Sequence, residues 1–118
     1  CLECAKRTHG DMCIGEYVHY GLRGATCKDE PGSCGRALCE CDAAFAKSHN
    51  EAKEVWDQDY HMFWSTSGWD FQMECVATGS GGSVESQCCE TDTTAAILFN
   101  SHTKECCANG AVKPIGEC

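Results

Sequence analysis

Cys34-Gly-Arg-Ala-Leu-Cys39-Glu-Cys41-Asp42-Ala-Ala-Phe-Ala46 places three cysteines within a helical spacing of apolar residues. Leu38, Cys41 and Phe45 recur at three- and four-residue steps. Ala52, Trp56, Tyr60 and Phe63 extend the series at such steps or their multiples, which predicts a long amphipathic helix. Ser48-His-Asn-Glu51 has the form of a capping box, so the pattern also admits two helices joined near Ser48. In this reading Trp56, Tyr60, Phe63 and Trp64 are core residues, and Asp57 and Asp59 form a solvated face.

Working outward from that segment, cysteine dominates the chain: 13 of 118 residues. Leu, Ile, Val and Phe are scarce, so an ordinary core would be thin and cross-links must supply much of the stability. That composition belongs to an oxidising compartment, and the chain is expected to be secreted. Thirteen is odd, which leaves at least one cysteine free or bonded to another molecule. A disulfide-linked partner chain or a homodimer follows as one expectation. Cys88-Cys89 and Cys106-Cys107 are adjacent, and neighbours cannot bridge each other without strain, so each reaches a different partner. Zinc is the rival reading, resting on Cys1-Leu-Glu-Cys4 with His9 nearby, but a second well-spaced pair is missing.

Nine Lys plus Arg against 18 Asp plus Glu give a net charge of −9. This argues against nucleic acid or an anionic membrane as the main partner. Divalent cations, basic proteins, mineral surfaces and zwitterionic lipid remain. No apolar run is long enough to span a bilayer. With no signal peptide before Cys1, the chain reads as a mature form or an excised fragment of a secreted protein.

Either side of the central helix the pattern is shorter-ranged. Residues 1–14 could be helical despite Gly10. Residues 16–27, with Tyr17, Val18 and Tyr20 followed by glycines, predict a short β-hairpin. Residues 28–34, with Pro31-Gly32, predict a turn. Residues 71–78 alternate as a strand would, 79–83 read as a flexible turn, and 95–99 and 111–115 are candidate strands, the last an edge because of Pro114. The expected organisation is a helical core over 1–70 with a cysteine-rich β/loop segment, 71–118, packed on it. His19, His49, His61 and His102 carry no chemical pattern.

Cys34 to Ala46 also resembles the second long helix of the secreted phospholipase A2 family, which carries a Cys-x-Cys-Asp-x-x-x-Ala signature there. Tyr17-x-x-Tyr20-Gly21 with Cys27 resembles that family's β-wing, and Arg7-Thr-His-Gly-Asp-Met-Cys13 is similar to its catalytic His-Asp-x-Cys helix. The likeness covers residues 4–64. It implies a small disulfide-rich fold, mainly α with short β: two antiparallel disulfide-linked helices, a β-wing and a cysteine-knotted C-terminal segment. It further implies bridges Cys13–Cys41 and Cys27–Cys39, His9 as general base, Asp42 as the acid orienting it, and Asp11 as a calcium ligand. From Cys88 to Cys118 the paired cysteines resemble galaxin-like extracellular matrix proteins.

Two departures count against the catalytic part of this resemblance. Gly10 separates His9 from Asp11, and on a helix two residues apart means about 200° apart. The glycine-rich calcium loop that precedes the family's catalytic helix has no counterpart in the residues before His9. That loop could instead belong to a separate segment bonded through Cys1 or Cys4. The resemblance therefore implies a secreted, non-catalytic phospholipase-A2-like protein with a binding, extracellular-matrix or biomineral, or toxin-like role. An extracellular protein, a mineral or a lipid surface would be its partner. The alternatives are a calcium-dependent phospholipase A2 that hydrolyses the sn-2 ester with His9 and Asp42, and a disulfide cross-linked structural protein.

Overall fold

The structure, a computed structural model, describes residues 1–75 and 82–118. Its longest element is helix α2, Cys34–Ala52. Ser33 caps it, the Oγ accepting a hydrogen bond from the Arg36 amide at 3.1 Å, which satisfies one of the donors a helix start leaves over. Arg36 pairs with Glu40 one turn on at 2.7 Å and also donates to the Asp29 carbonyl. Gly35 lets the incoming chain lie close, since a Cβ there would stand 2.9 Å from the Asp29 carboxylate. The helix runs unbroken through Ser48, so the capping box there is not used.

Helix α1, Leu2–His9, is braced by Arg7 bonded to Glu3 at 3.1 Å. It stops at Gly10, whose backbone sits at φ 94°, ψ 165° and whose amide donates to the Lys6 carbonyl. Cys1 is bonded to Cys41 and Cys13 to Cys34, so the N-terminal segment runs back along α2. The expected Cys13–Cys41 bridge is not formed. Because α1 ends early, Cys13 arrives at the start of α2, and Cys41 lies about 10 Å further along that helix. A disulfide cannot reach that far.

Strands β1, Leu22–Arg23, and β2, Thr26–Cys27, form a two-residue antiparallel pair, tied to α2 by Cys27–Cys39. This hairpin is shorter than residues 16–27 predict. Val18 and Tyr20 instead pack on the cluster of Ala5, Cys13 and Leu38, and the Val18 amide donates to Ile14 in a turn.

After Ala52 the chain leaves helical structure. Two 3-10 turns, Lys53–Val55 and Gln58–Tyr60, and one helical turn, α3 (Phe71–Glu74), carry it onward. The helical series expected through Phe63 therefore ends at Ala52, and Trp56, Tyr60, Phe63 and Trp64 are exposed rather than core. Local side chains compete with the helix here. Asp57 accepts from the Asp59 amide at 2.9 Å, and His61 Nδ1 accepts from the Phe63 and Trp64 amides at 3.1 and 3.3 Å. The strand predicted over 71–78 is helical at 71–74, where Asp70 caps the Gln72 amide. Its end, and most of the turn predicted at 79–83, lie outside the described residues.

The C-terminal part contains two antiparallel pairs. Strand β3, Ser86–Thr91, pairs with β4, Thr94–Asn100, in the register Cys88↔Leu98. Strand β5, Lys104–Cys106, pairs with β6, Val112–Pro114. The double cysteines spread these elements over different neighbours. Cys88 reaches back to Cys4 in α1, Cys89 joins Cys106, and Cys107 joins Cys118. Arg7 donates to the Ser86 carbonyl at 2.9 Å and Thr8 to Glu90 at 2.6 Å, so the β3–β4 hairpin is seated on the helices.

The result is a small disulfide-rich fold of helices and short antiparallel strands with six disulfides. Of the nine buried apolar residues among those described, six are half-cystines: Cys4, Cys13, Cys27, Cys39, Cys41 and Cys89. The radius of gyration is 17.3 Å, against about 13–14 Å for a compact chain of this length. A body with so little interior depends on covalent ties.

Candidate functional site

His9 is the last residue of α1 and is half-buried. It lines a cavity of about 110 Å³ between α1, α2 and the β3–β4 hairpin, with Thr8, Arg36, Glu40, Glu90 and Asp92 among its neighbours. The polar groups of this cavity are largely bonded to one another: Arg36 with Glu40, and Thr8 with Glu90. Among the described residues no hydrogen bond involves the His9 ring.

Asp42 belongs to another side of α2. Arg36 and Glu40 turn toward His9, whereas Asp42, two residues past Glu40, is rotated by about 200°. Its carboxylate accepts a hydrogen bond from the Tyr20 hydroxyl at 2.5 Å, beside a separate cavity lined by Leu22, Cys39 and Ala46. That bond, then burial and the Asp42 charge, raise the Tyr20 phenol above its ordinary pKa. The structure thus brings Asp42 to Tyr20 rather than to His9. Nothing local in the sequence announces this pair, since its members are 22 residues apart.

Asp11 sits in the turn after Gly10, exposed to solvent. Calcium takes six to eight oxygens, and among the described residues no three His, Cys, Asp or Glu side chains are grouped to hold a metal ion. Asp11 belongs to no such side-chain group. The zinc reading falls, because Cys1 and Cys4 are both spent in disulfides. Of the cysteines, Cys75 alone is unpaired, and it is exposed.

A second surface was missed from the sequence because its residues mimic a core helix. Its rings gather on one another outside the stapled body. Trp64 stacks on His61 with centroids 4.3 Å apart, Trp56 meets His61 edge-on at 5.8 Å, and Tyr60 meets Trp69 edge-on at 5.6 Å. Asp59 steadies the segment by accepting from the Thr66 hydroxyl at 2.7 Å. Next to it, Val55, Trp56, Asp57 and Tyr60 line an open groove of about 630 Å³ that runs to Lys53 and His49 at the end of α2. Exposed aromatic rings beside an open groove are the features of an interaction surface or ligand groove.

Among known proteins, no family model, no curated protein and no solved structure matches the chain. No helix among the described residues is long and apolar enough to cross a membrane.

Proposed function

We propose that the protein is an extracellular, non-catalytic binding protein on a phospholipase-A2-like scaffold of two antiparallel helices and a β-wing, with a galaxin-like C-terminal segment. One observation carries this reading: Asp42 is hydrogen-bonded to Tyr20 while His9 lines a different cavity. A general base for water needs an acidic partner within hydrogen-bond reach to hold its imidazole. The ending of α1 at Gly10 supports the same reading, because it carries Asp11 off the helix that bears His9. Twelve cysteines spent in six bridges fit an oxidising, extracellular setting.

Fatty-acid release from phospholipid vesicles, measured with calcium and with chelator, tests the proposal. The expected result is no release above buffer in either condition. Calcium-dependent turnover abolished by His9→Ala would overturn it.

A second reading rests on Cys75, unpaired and exposed: a structural protein cross-linked through that thiol. Non-reducing gels would then show a species of twice the monomer mass, absent under reduction and absent from Cys75→Ser. A single monomer band in all lanes dismisses this alternative.

A further inference from the structure

All three tryptophans of the chain, Trp56, Trp64 and Trp69, fall within fourteen residues. Trp56 and Trp64 are 67% and 66% exposed, Tyr60 is 65% and Phe63 75%. An aromatic side chain buries roughly 150–250 Å² when covered, so four rings exposed to this degree present on the order of 400–650 Å². The largest apolar patch on a typical monomer is about 300–600 Å² and is often functional. Among the described residues these rings touch other rings of their own segment but stay mostly uncovered, which leaves them open to another molecule.

Charge selects the cover. From Glu54 to Cys75 the chain holds Glu54, Asp57, Asp59, Asp70 and Glu74 and no Lys or Arg. None of these five carboxylates takes part in the ion pairs of the described residues. A second copy of this chain would set ten such carboxylates around one interface, which like-charge repulsion opposes. An anionic bilayer is repelled in the same way. A cationic segment gains on both counts: its charged ends meet the acidic rim, and its alkyl stems lie along the rings, with guanidinium or ammonium groups over the indole and phenol faces. We propose that this acid-rimmed aromatic face docks a Lys- and Arg-bearing segment of another protein. Lys53 closes the α2 end of the groove with the opposite sign, so the basic residues of the bound segment lie over residues 54–74. The inference deepens the binding-protein reading above and rests on it.

Intrinsic fluorescence reports on this segment alone: Trp56 and Trp64 lie in the face, and Trp69 packs edge-on against Tyr60 of it. The intact oxidised protein is titrated with a synthetic peptide alternating Lys/Arg with Leu, and with its counterpart in which Gln replaces each cation. The expected result is a saturable tryptophan shift with the cationic peptide. Binding should be at least tenfold weaker with the neutral one, and should weaken steeply between 50 and 500 mM salt. Trp56→Ala with Trp64→Ala, leaving Trp69 as the reporter, should weaken binding tenfold or more. If that variant misfolds, Glu54→Gln with Asp57→Asn and Glu74→Gln makes the same test, since Asn keeps the cap acceptor of Asp57. Removing three carboxylates elsewhere, Glu85→Gln with Glu90→Gln and Glu117→Gln, should leave affinity within twofold.

Equal loss from both sets of carboxylates would overturn the proposal, leaving only attraction to the net charge. So would equal binding of the two peptides, a shift with phosphatidylcholine vesicles and none with peptide, or concentration-dependent dimers without peptide. Phospholipid turnover would sink the binding-protein reading whatever the peptides do. Absent turnover together with absent peptide binding would sink this inference alone.

Discussion

The hydroxyl of Tyr20 donates to the carboxylate of Asp42 at 2.5 Å, joining the segment before β1 to the middle of α2. The bond favours the protonated phenol, so its contribution is fully present below the unfolded tyrosine pKa of about 10 and is lost as pH rises through the raised folded value. Ultraviolet titration should show a tyrosine ionising above the ordinary phenol value of about 10. Asp42→Asn should bring that midpoint down, and Tyr20→Phe should remove it and cost about 1 kcal/mol of stability. The absence of any such late-ionising phenol in the unaltered protein would contradict this.

Gly10 holds a backbone conformation, φ 94° and ψ 165°, that only glycine adopts freely. Gly10→Ala meets no steric obstacle from neighbouring side chains, so its cost is conformational, about 1–3 kcal/mol. Denaturant unfolding with the disulfides intact should register that loss with an unchanged slope.

Much of the scaffold was legible in residue pattern. The spacing of Leu38, Cys41 and Phe45 marked α2, the short apolar runs at 95–99 and 111–115 marked β4 and β6, and the adjacent cysteines do pair with separate partners. Cys27–Cys39 is present. The partner of Cys13 was not legible, because it depends on where α1 stops, and Gly10 decides that through its dihedral angles. Trp56 to Trp64 misled for a related reason. Their spacing satisfies a helix, but the small body leaves no surface there to bury a helix face, and Asp57, His61 and Asp70 bind their own backbone instead. Nothing in the sequence around His9 or Asp42 says that the first faces the β3–β4 hairpin and the second Tyr20.

Cys4–Cys88 closes the longest span in the chain, 84 residues. Removing such a bridge from a small domain costs about 2–5 kcal/mol. Cys4→Ser with Cys88→Ser should lower the melting temperature and release amide protection in β3 and β4. Protection in α2, held by its own three bridges, should persist. Uniform loss of protection would show that the hairpin and helices unfold as one unit.

Glu105 gathers the C-terminus, its carboxylate accepting from the amides of Gly116, Glu117 and Cys118 at 2.7, 3.0 and 3.1 Å. Those bonds, the one to Cys118 foremost, hold its pKa below the ordinary glutamate value. The stabilisation is present above the unfolded glutamate pKa and is lost as pH falls through the lowered folded value. Protection factors of the amides of residues 116–118, corrected for the intrinsic pH dependence of exchange, should therefore be high at neutral pH and fall in acid. Glu105→Gln should remove that pH dependence.

Between Cys41 and Cys88 no bridge begins or ends, yet both of those residues are anchored to the N-terminal helix segment, through Cys1 and Cys4. A single cut anywhere in that interval would leave both fragments attached to one particle. The interval containing the aromatic face is thus a cassette held at its two ends. Its residues can be exchanged, lengthened or clipped while the frame keeps its connectivity, so the face can diversify toward new partners without re-inventing the body that carries it.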